Sequence, residues 1–194
     1  MVCNNAGVSP VGPLWENTAA DWQWALGVNL WGVIHGVRAF VPRLVAQGEG
    51  HVVNTASVAG LISPPGMGVY NVTKHAVVAL SESLHHDLRV QGSPVGVSVL
   101  CPAYVPTGIS NSERNRPQEL ANPALSERQK ALKENLKKAV SSGKLTADDV
   151  ARAVVAAIKE NRFYILTHPR IKGAIQARME DILQERAPRN PLAL

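Results

Sequence analysis

The seven residues Val95-Gly-Val-Ser-Val-Leu-Cys101 contain one hydroxyl and no charge. A strand with one wet face alternates polar and apolar residues. An unbroken run is what a parallel strand buried on both faces shows, and it calls for helices above and below the sheet. A second such run, His51-Val-Val-Asn-Thr-Ala56, and shorter ones at residues 1–3 and 163–167 are separated by stretches of helical period. Those stretches run from Thr18 or Asp21 to about Ala46, from Tyr70 to Val90, and over 126–140, 146–161 and 171–186. Gly48 and Gly50 stop the first, and Gly92-Ser93-Pro94 the second. Strands alternating with helices predict an α/β fold with a parallel sheet between helical layers. The 194 residues form one domain, with no internal repeat or low-complexity segment.

Between the two long runs lies Ser57-Val-Ala-Gly-Leu-Ile-Ser-Pro-Pro-Gly-Met-Gly-Val-Tyr-Asn-Val-Thr-Lys74, a Gly/Pro loop leading into a helix. Tyr70 and Lys74 stand four apart on that helix and so share a face. A cation beside a phenol favours the phenolate and is expected to lower the tyrosine pKa from about 10. A phenol so poised exchanges a proton with an alcohol oxygen near neutral pH. Ser57, at the end of the preceding strand, can offer a hydroxyl to the same oxygen.

This set resembles the active site of the short-chain dehydrogenase/reductase family. Asn4-Asn5-Ala6-Gly7 matches the family's turn after its fourth strand, and Asn29 in Val28-Asn-Leu-Trp-Gly32 its helical asparagine. Pro102-Ala-Tyr-Val-Pro-Thr107 matches Pro-Gly-x-Val-x-Thr after the sixth strand, with Ala103 in place of the usual glycine. The resemblance implies a partial Rossmann-type doubly wound sheet, strands four to seven with flanking helices. It implies hydride transfer between NAD or NADP and an alcohol or ketone. Tyr70 would be the general acid/base, Ser57 would fix the substrate oxygen, and Lys74 would hold the nicotinamide ribose. Asn29 would anchor a water linking Lys74 to solvent. Asn5, Ala6 and Gly7 would pass beneath the adenosine side, while Pro102, the Val105 backbone and Thr107 would hold the carboxamide. Residues 103–125, rich in proline and asparagine, would be the substrate lid, a mobile segment. Leu61, Ile62, Met67, Val69 and Ile109 suggest a hydrophobic substrate.

The family's phosphate-binding loop, Thr-Gly-x-x-x-Gly-x-Gly, is not among these residues. The domain therefore reads as N-terminally truncated. The alternative reading is an inactive fragment or a non-catalytic subunit unable to bind cofactor.

The net charge of +5 raises nucleic acid as a partner. The basic residues gather on one polar helix around Lys130, Lys133 and Lys137 without aromatics to stack on bases, which argues for a solvated face instead. The apolar stretch 24–41 is interrupted by Asn29, His35 and Arg38, so no membrane span is expected. The six histidines show no metal-ligand spacing, and no metal is expected. Cys3 and Cys101 read as buried, unpaired thiols of a reducing, cytoplasmic setting. Trp24, Trp31, Leu80 and Leu84 are expected on outward helix faces that join copies into a dimer or tetramer in the full-length form.

Overall fold

The computed structural model of the chain describes residues 1–122 and 124–193. Four parallel strands, β1 Val2–Asn4, β2 His51–Thr55, β3 Gly96–Leu100 and β4 Tyr164–Ile165, lie in the order β1-β2-β3-β4. Val2 pairs with Val52, Val52 with Val97 and Leu100 with Ile165. The register carries all four C-terminal ends to one edge, where parallel sheets bind ligands.

Alternation along the strands sorts the core into two layers. Val52, Val97 and Val99 face α2 (Gly32–Gln47) and α3 (Gly68–Val90), meeting Val33, Leu44, Val77 and Leu84. Val53, Leu100 and Ile165 face the other way, onto Ala157 of α5 (Ala147–Lys159). The continuous apolar runs thus have the two-sided burial expected of them. α4 (Glu127–Ser141) and α6 (Ile171–Leu183) complete the helices that follow β3 and β4, and α1 (Ala19–Ala25) precedes α2.

Caps set the helix starts. Thr18, Ser126 and Thr146 each accept from the third residue on, and Asp21, Gln129 and Asp149 bond back, three reciprocal capping boxes. Gly48, at φ 76°, closes α2 in the left-handed region. The expected single helix to Ala46 is in fact interrupted: Leu26–Trp31 forms a π-helical turn between α1 and α2.

Two expectations are corrected. Cys3 is exposed, because it points to the face of β1 opposite the one where Val2 packs, whereas Cys101 is buried; both thiols are free. Trp24 (3% exposed) and Leu84 (9%) pack inside this chain's own core, while Trp31 is half exposed. Residues 103–125 include 3-10 turns at Gly108–Asn115 and Gln118–Leu120, pinned by Arg116 to Asp21 at 2.6 Å. The Arg116 guanidinium also stacks 4.1 Å over the Trp24 ring and binds Glu113, and Asn122 donates to the same Asp21 oxygen. Pro123, within that stretch, lies outside the described residues.

Candidate active site

At the C-terminal edge of the sheet, β2 delivers Thr55 and Ser57, and α3 delivers Tyr70 and Lys74. Lys74 is almost wholly buried and its Nζ donates to the Thr55 carbonyl at 2.8 Å. The same ammonium lies 5.5 Å from the Tyr70 ring centroid. Ser57 is extended, caps the turn Val58–Gly60 by accepting from the Ala59 amide, and donates to the Pro102 carbonyl at 3.3 Å. The turn after Ser57 presses on α3 closely enough that a Cβ on Gly60 would meet the Lys74 carbonyl oxygen at 2.5 Å. Only glycine permits that approach, which sets the distance between the serine and the Tyr-Lys face.

The electrostatics differ from the simple expectation. Burial pushes the Tyr70 phenol up to about 12, and the Ser57 hydroxyl only partly offsets it. Burial also brings the Lys74 ammonium down to about 8. Burial sets the direction of the Tyr70 shift, because removing the phenolate from water raises the phenol, in the sense opposite to the lowering expected from Lys74.

Asn29 sits on the π-helical turn with no exposed surface. Its Oδ1 accepts from the Val8 amide at 2.8 Å, and its Nδ2 donates to the Val8 carbonyl and to the Thr73 hydroxyl, at 2.9 and 3.0 Å. Thr73 in turn donates to the Tyr70 carbonyl at 2.8 Å. Asn29 therefore fastens the chain leaving β1 to the first turns of α3. A Cβ on Gly7 would stand 3.6 Å from both Asn29 Oδ1 and Lys74 Nζ, so the turn after β1 passes directly beside the ammonium. Asn5 and Ala6 are exposed on that turn, and Asn5 Oδ1 accepts from the Thr55 hydroxyl.

Pro102 joins the group through its carbonyl, which accepts from the Val58 amide as well as from Ser57. Val105 is buried and Thr107 exposed, where it caps the following 3-10 turn. Among the described residues, no side-chain hydrogen bond ties Thr107 to Ser57, Tyr70 or Lys74. Ile62 (4% exposed) and Val69 (0%) are core residues, the latter packed with Val8 and Trp24, whereas Leu61, Met67 and Ile109 are half-buried. Thr73, Val8 and Gly60 were not singled out by sequence reasoning. Thr73 had one available signal, a position one turn above Tyr70 on the face that Asn29 reaches. Among the described residues no group of acidic, histidine and cysteine side chains could hold a metal, and no helix is long and apolar enough to cross a membrane.

Residues 1–118 match the family model for short chain dehydrogenases. The chain is 32% identical over 193 residues to a CLA biosynthesis dehydrogenase/reductase of Lactiplantibacillus plantarum, covering 97% of this chain and 67% of that protein. It is 36% identical to a 1-deoxy-11-beta-hydroxypentalenate dehydrogenase of Streptomyces avermitilis, over 94% of this chain and 60% of the relative. Among solved structures, a short chain dehydrogenase/reductase from Burkholderia phymatum in complex with NAD superimposes with a TM-score of 0.96 at 56% identity, covering 100% of this chain and 70% of that one. The chain thus spans 60 to 70% of the length of these relatives. The family model, the relatives and the superimposed fold agree, and the chain belongs to the short-chain dehydrogenase family.

Proposed function

We propose that the protein is an oxidoreductase moving a hydride between NAD or NADP and a carbon bearing an alcohol or carbonyl oxygen. The observation that carries this is the convergence of Ser57, Tyr70 and Lys74 at the C-terminal edge of the sheet, all three buried and with the ammonium 5.5 Å from the phenol ring centroid. The likeness to the Burkholderia phymatum structure, which holds NAD, favours that nucleotide.

The donor set fits a nicotinamide nucleoside. Lys74 has three protons and the Thr55 carbonyl takes one of them, so the ammonium can also serve ribose hydroxyls beside Gly7. The Val105 backbone and Thr107 would hold the carboxamide, and Asn5, Ala6 and Gly7 would lie along the adenosine side. When bound, the nicotinamide supplies or accepts the hydride. Tyr70, kept protonated by burial, gives its proton to the substrate oxygen during reduction and takes it back during oxidation. Ser57 donates to that oxygen and stabilises the charge that develops there. Lys74, with its pKa near 8, is placed to return a proton to the phenol. Asn29 holds the Tyr70 turn and the β1 turn in one frame through Thr73 and Val8.

In this reading the four strands are the fourth to seventh of the family's sheet, and 103–125 is the substrate lid, supported by its place directly after β3 and its anchor at Asp21. Half-buried Leu61, Met67 and Ile109 favour an apolar substrate. Half-exposed Trp31 and Phe40 on the π-turn and α2 support a dimer or tetramer, and the free thiols suit a cytoplasmic enzyme. The test is reduction of a panel of apolar ketones by the full-length protein with NADH and NADPH. Turnover that survives Tyr70→Phe would refute the assignment.

A further inference from the structure

β3 and β4 are joined by a regular parallel ladder that changes character at the site. The Val99 amide donates to the Phe163 carbonyl at 2.8 Å, and the Cys101 amide to the Ile165 carbonyl at 3.0 Å. The next rung in register would join the Ala103 amide to the Thr167 carbonyl. Instead, Ala103 N donates to the imidazole Nδ1 of His168 at 3.1 Å. A side chain has replaced the third rung. The backbones can therefore part at the sheet edge while the segment entering Pro102–Thr107 remains tied to β4.

An amide N–H can only donate, so His168 Nδ1 must carry its lone pair and the ring proton must sit on Nε2. The Thr167 hydroxyl, 2.9 Å from the same nitrogen, stands beside this contact. Burial depresses the His168 pKa against an opposing hydrogen bond to the Tyr104 backbone, which favours the neutral ring that the contact needs. Tyr104 is held from another side as well, because a Cβ on Gly143 would meet its carbonyl oxygen at 2.5 Å. The segment 103–104 is thus fixed by one imidazole and one close backbone approach, and it leads within three residues to Val105 and Thr107.

We propose that His168 is a positioning residue for the nicotinamide: its Nδ1 replaces a strand rung and sets the path of the 102–107 loop whose Val105 backbone and Thr107 hold the carboxamide. The proposal rests on the cofactor reading given above. A glycine at 103, as in the family pattern, would leave this loop freer, and here Ala103 and the imidazole together restrict it.

The test compares His168→Ala, His168→Asn and His168→Gln in the full-length protein. The Asn carbonyl oxygen falls near the place of Nδ1 and can accept from Ala103, whereas the longer Gln places its amide near Nε2. Backbone amide exchange at Ala103, read by NMR without nucleotide, should rise about tenfold in His168→Ala and His168→Gln, as for loss of one ordinary hydrogen bond, and return toward wild type in His168→Asn. NADH dissociation constants, read by fluorescence, should weaken several-fold in the first two variants and recover in the third. Equal exchange in all four proteins would overturn the proposal, as would faster exchange with unchanged NADH affinity. Thermal melts identify a variant that fails to fold, in which case the Asn and Gln proteins decide. If wild type binds neither NADH nor NADPH, the cofactor reading and the role built on it fall together. In that case the exchange data separately show whether His168 holds the loop.

Discussion

Removing the Arg116 side chain should loosen the protein far more than loss of a surface charge would. The Arg116 and Asp21 side chains are only 6% and 3% exposed, and their contact joins the turns after β3 to the first turn of α1, 95 residues away in sequence. Deleting one partner of a buried pair leaves the other charge uncompensated and costs about 3–5 kcal/mol. Asp21 would keep its bonds from the Thr18 amide and from Asn122, which places Arg116→Met near the lower end, about 3 kcal/mol. With a urea dependence of about 2–3 kcal/mol/M, the unfolding midpoint should fall by about 1–1.5 M. Trp24, beneath the guanidinium, should report the change through its emission. Asp21→Asn alone should also destabilise. The double variant should lose less than the sum of the two by about 1–3 kcal/mol, because neither charge is then stranded. A loss below about 1 kcal/mol for Arg116→Met, or strict additivity in the double variant, would refute the claim that this pair holds the segment. Burial pushes the Asp21 carboxyl up, but the Thr18 amide, Arg116 and Asn122 together pull it below its ordinary 3.8. Its contribution should therefore be complete above that pH and lost as the pH falls through the depressed value.

Tyr70→Phe should leave the fold intact by circular dichroism and lower turnover by about two to four orders of magnitude. Folded Lys74 titrates near 8 against 10.5 in the free residue, so stability should rise with pH between these values. In Lys74→Met that rise should be absent from urea midpoints measured across the range. Tyr70, with a folded pKa of about 12 against 10, acts in the opposite sense: its contribution is lost as the pH rises through that interval, and Tyr70→Phe should flatten this decline. Gly60→Ala should force the Ser57 turn away from the Lys74 carbonyl, lowering kcat at least tenfold and the melting temperature by several degrees, whereas wild-type kinetics would show that the 2.5 Å approach relaxes freely.

Much of the architecture was legible because its signals are local. The unalternated runs at 51–56 and 95–101 read as two-sided strands, and the helical stretches expected from Thr18 and from residue 146 begin where helices do start. Tyr70 and Lys74 were legible because helical spacing alone puts them together. What escaped depends on partners distant in sequence. Arg116 lies in a proline-rich stretch, and nothing near it in sequence points to Asp21. The burial that raises Tyr70 and lowers Lys74 comes from the layers around them, and spacing carries no information about solvent. Cys3 was misplaced because a strand's pattern does not say whether a helix covers that face.

The π-helical turn at Leu26–Trp31 has a consequence for how this chain tolerates change. One added residue per turn sets every later side chain back by about 100° relative to an uninterrupted helix. The segment before the turn aims Trp24 and Ala25 at Val8 and Val69, while the segment after it aims Val33 and Leu44 at the sheet. The two halves are keyed at different angles, and Asn29 occupies the offset between them. Deleting one residue such as Gly27 should produce the more regular helix and the worse protein, because either Asn29 or Val33 must then face the wrong way. Helix content by circular dichroism would stay near wild type while cooperative unfolding disappeared. At this place in the fold, the irregular turn is what lets one helix serve two neighbours.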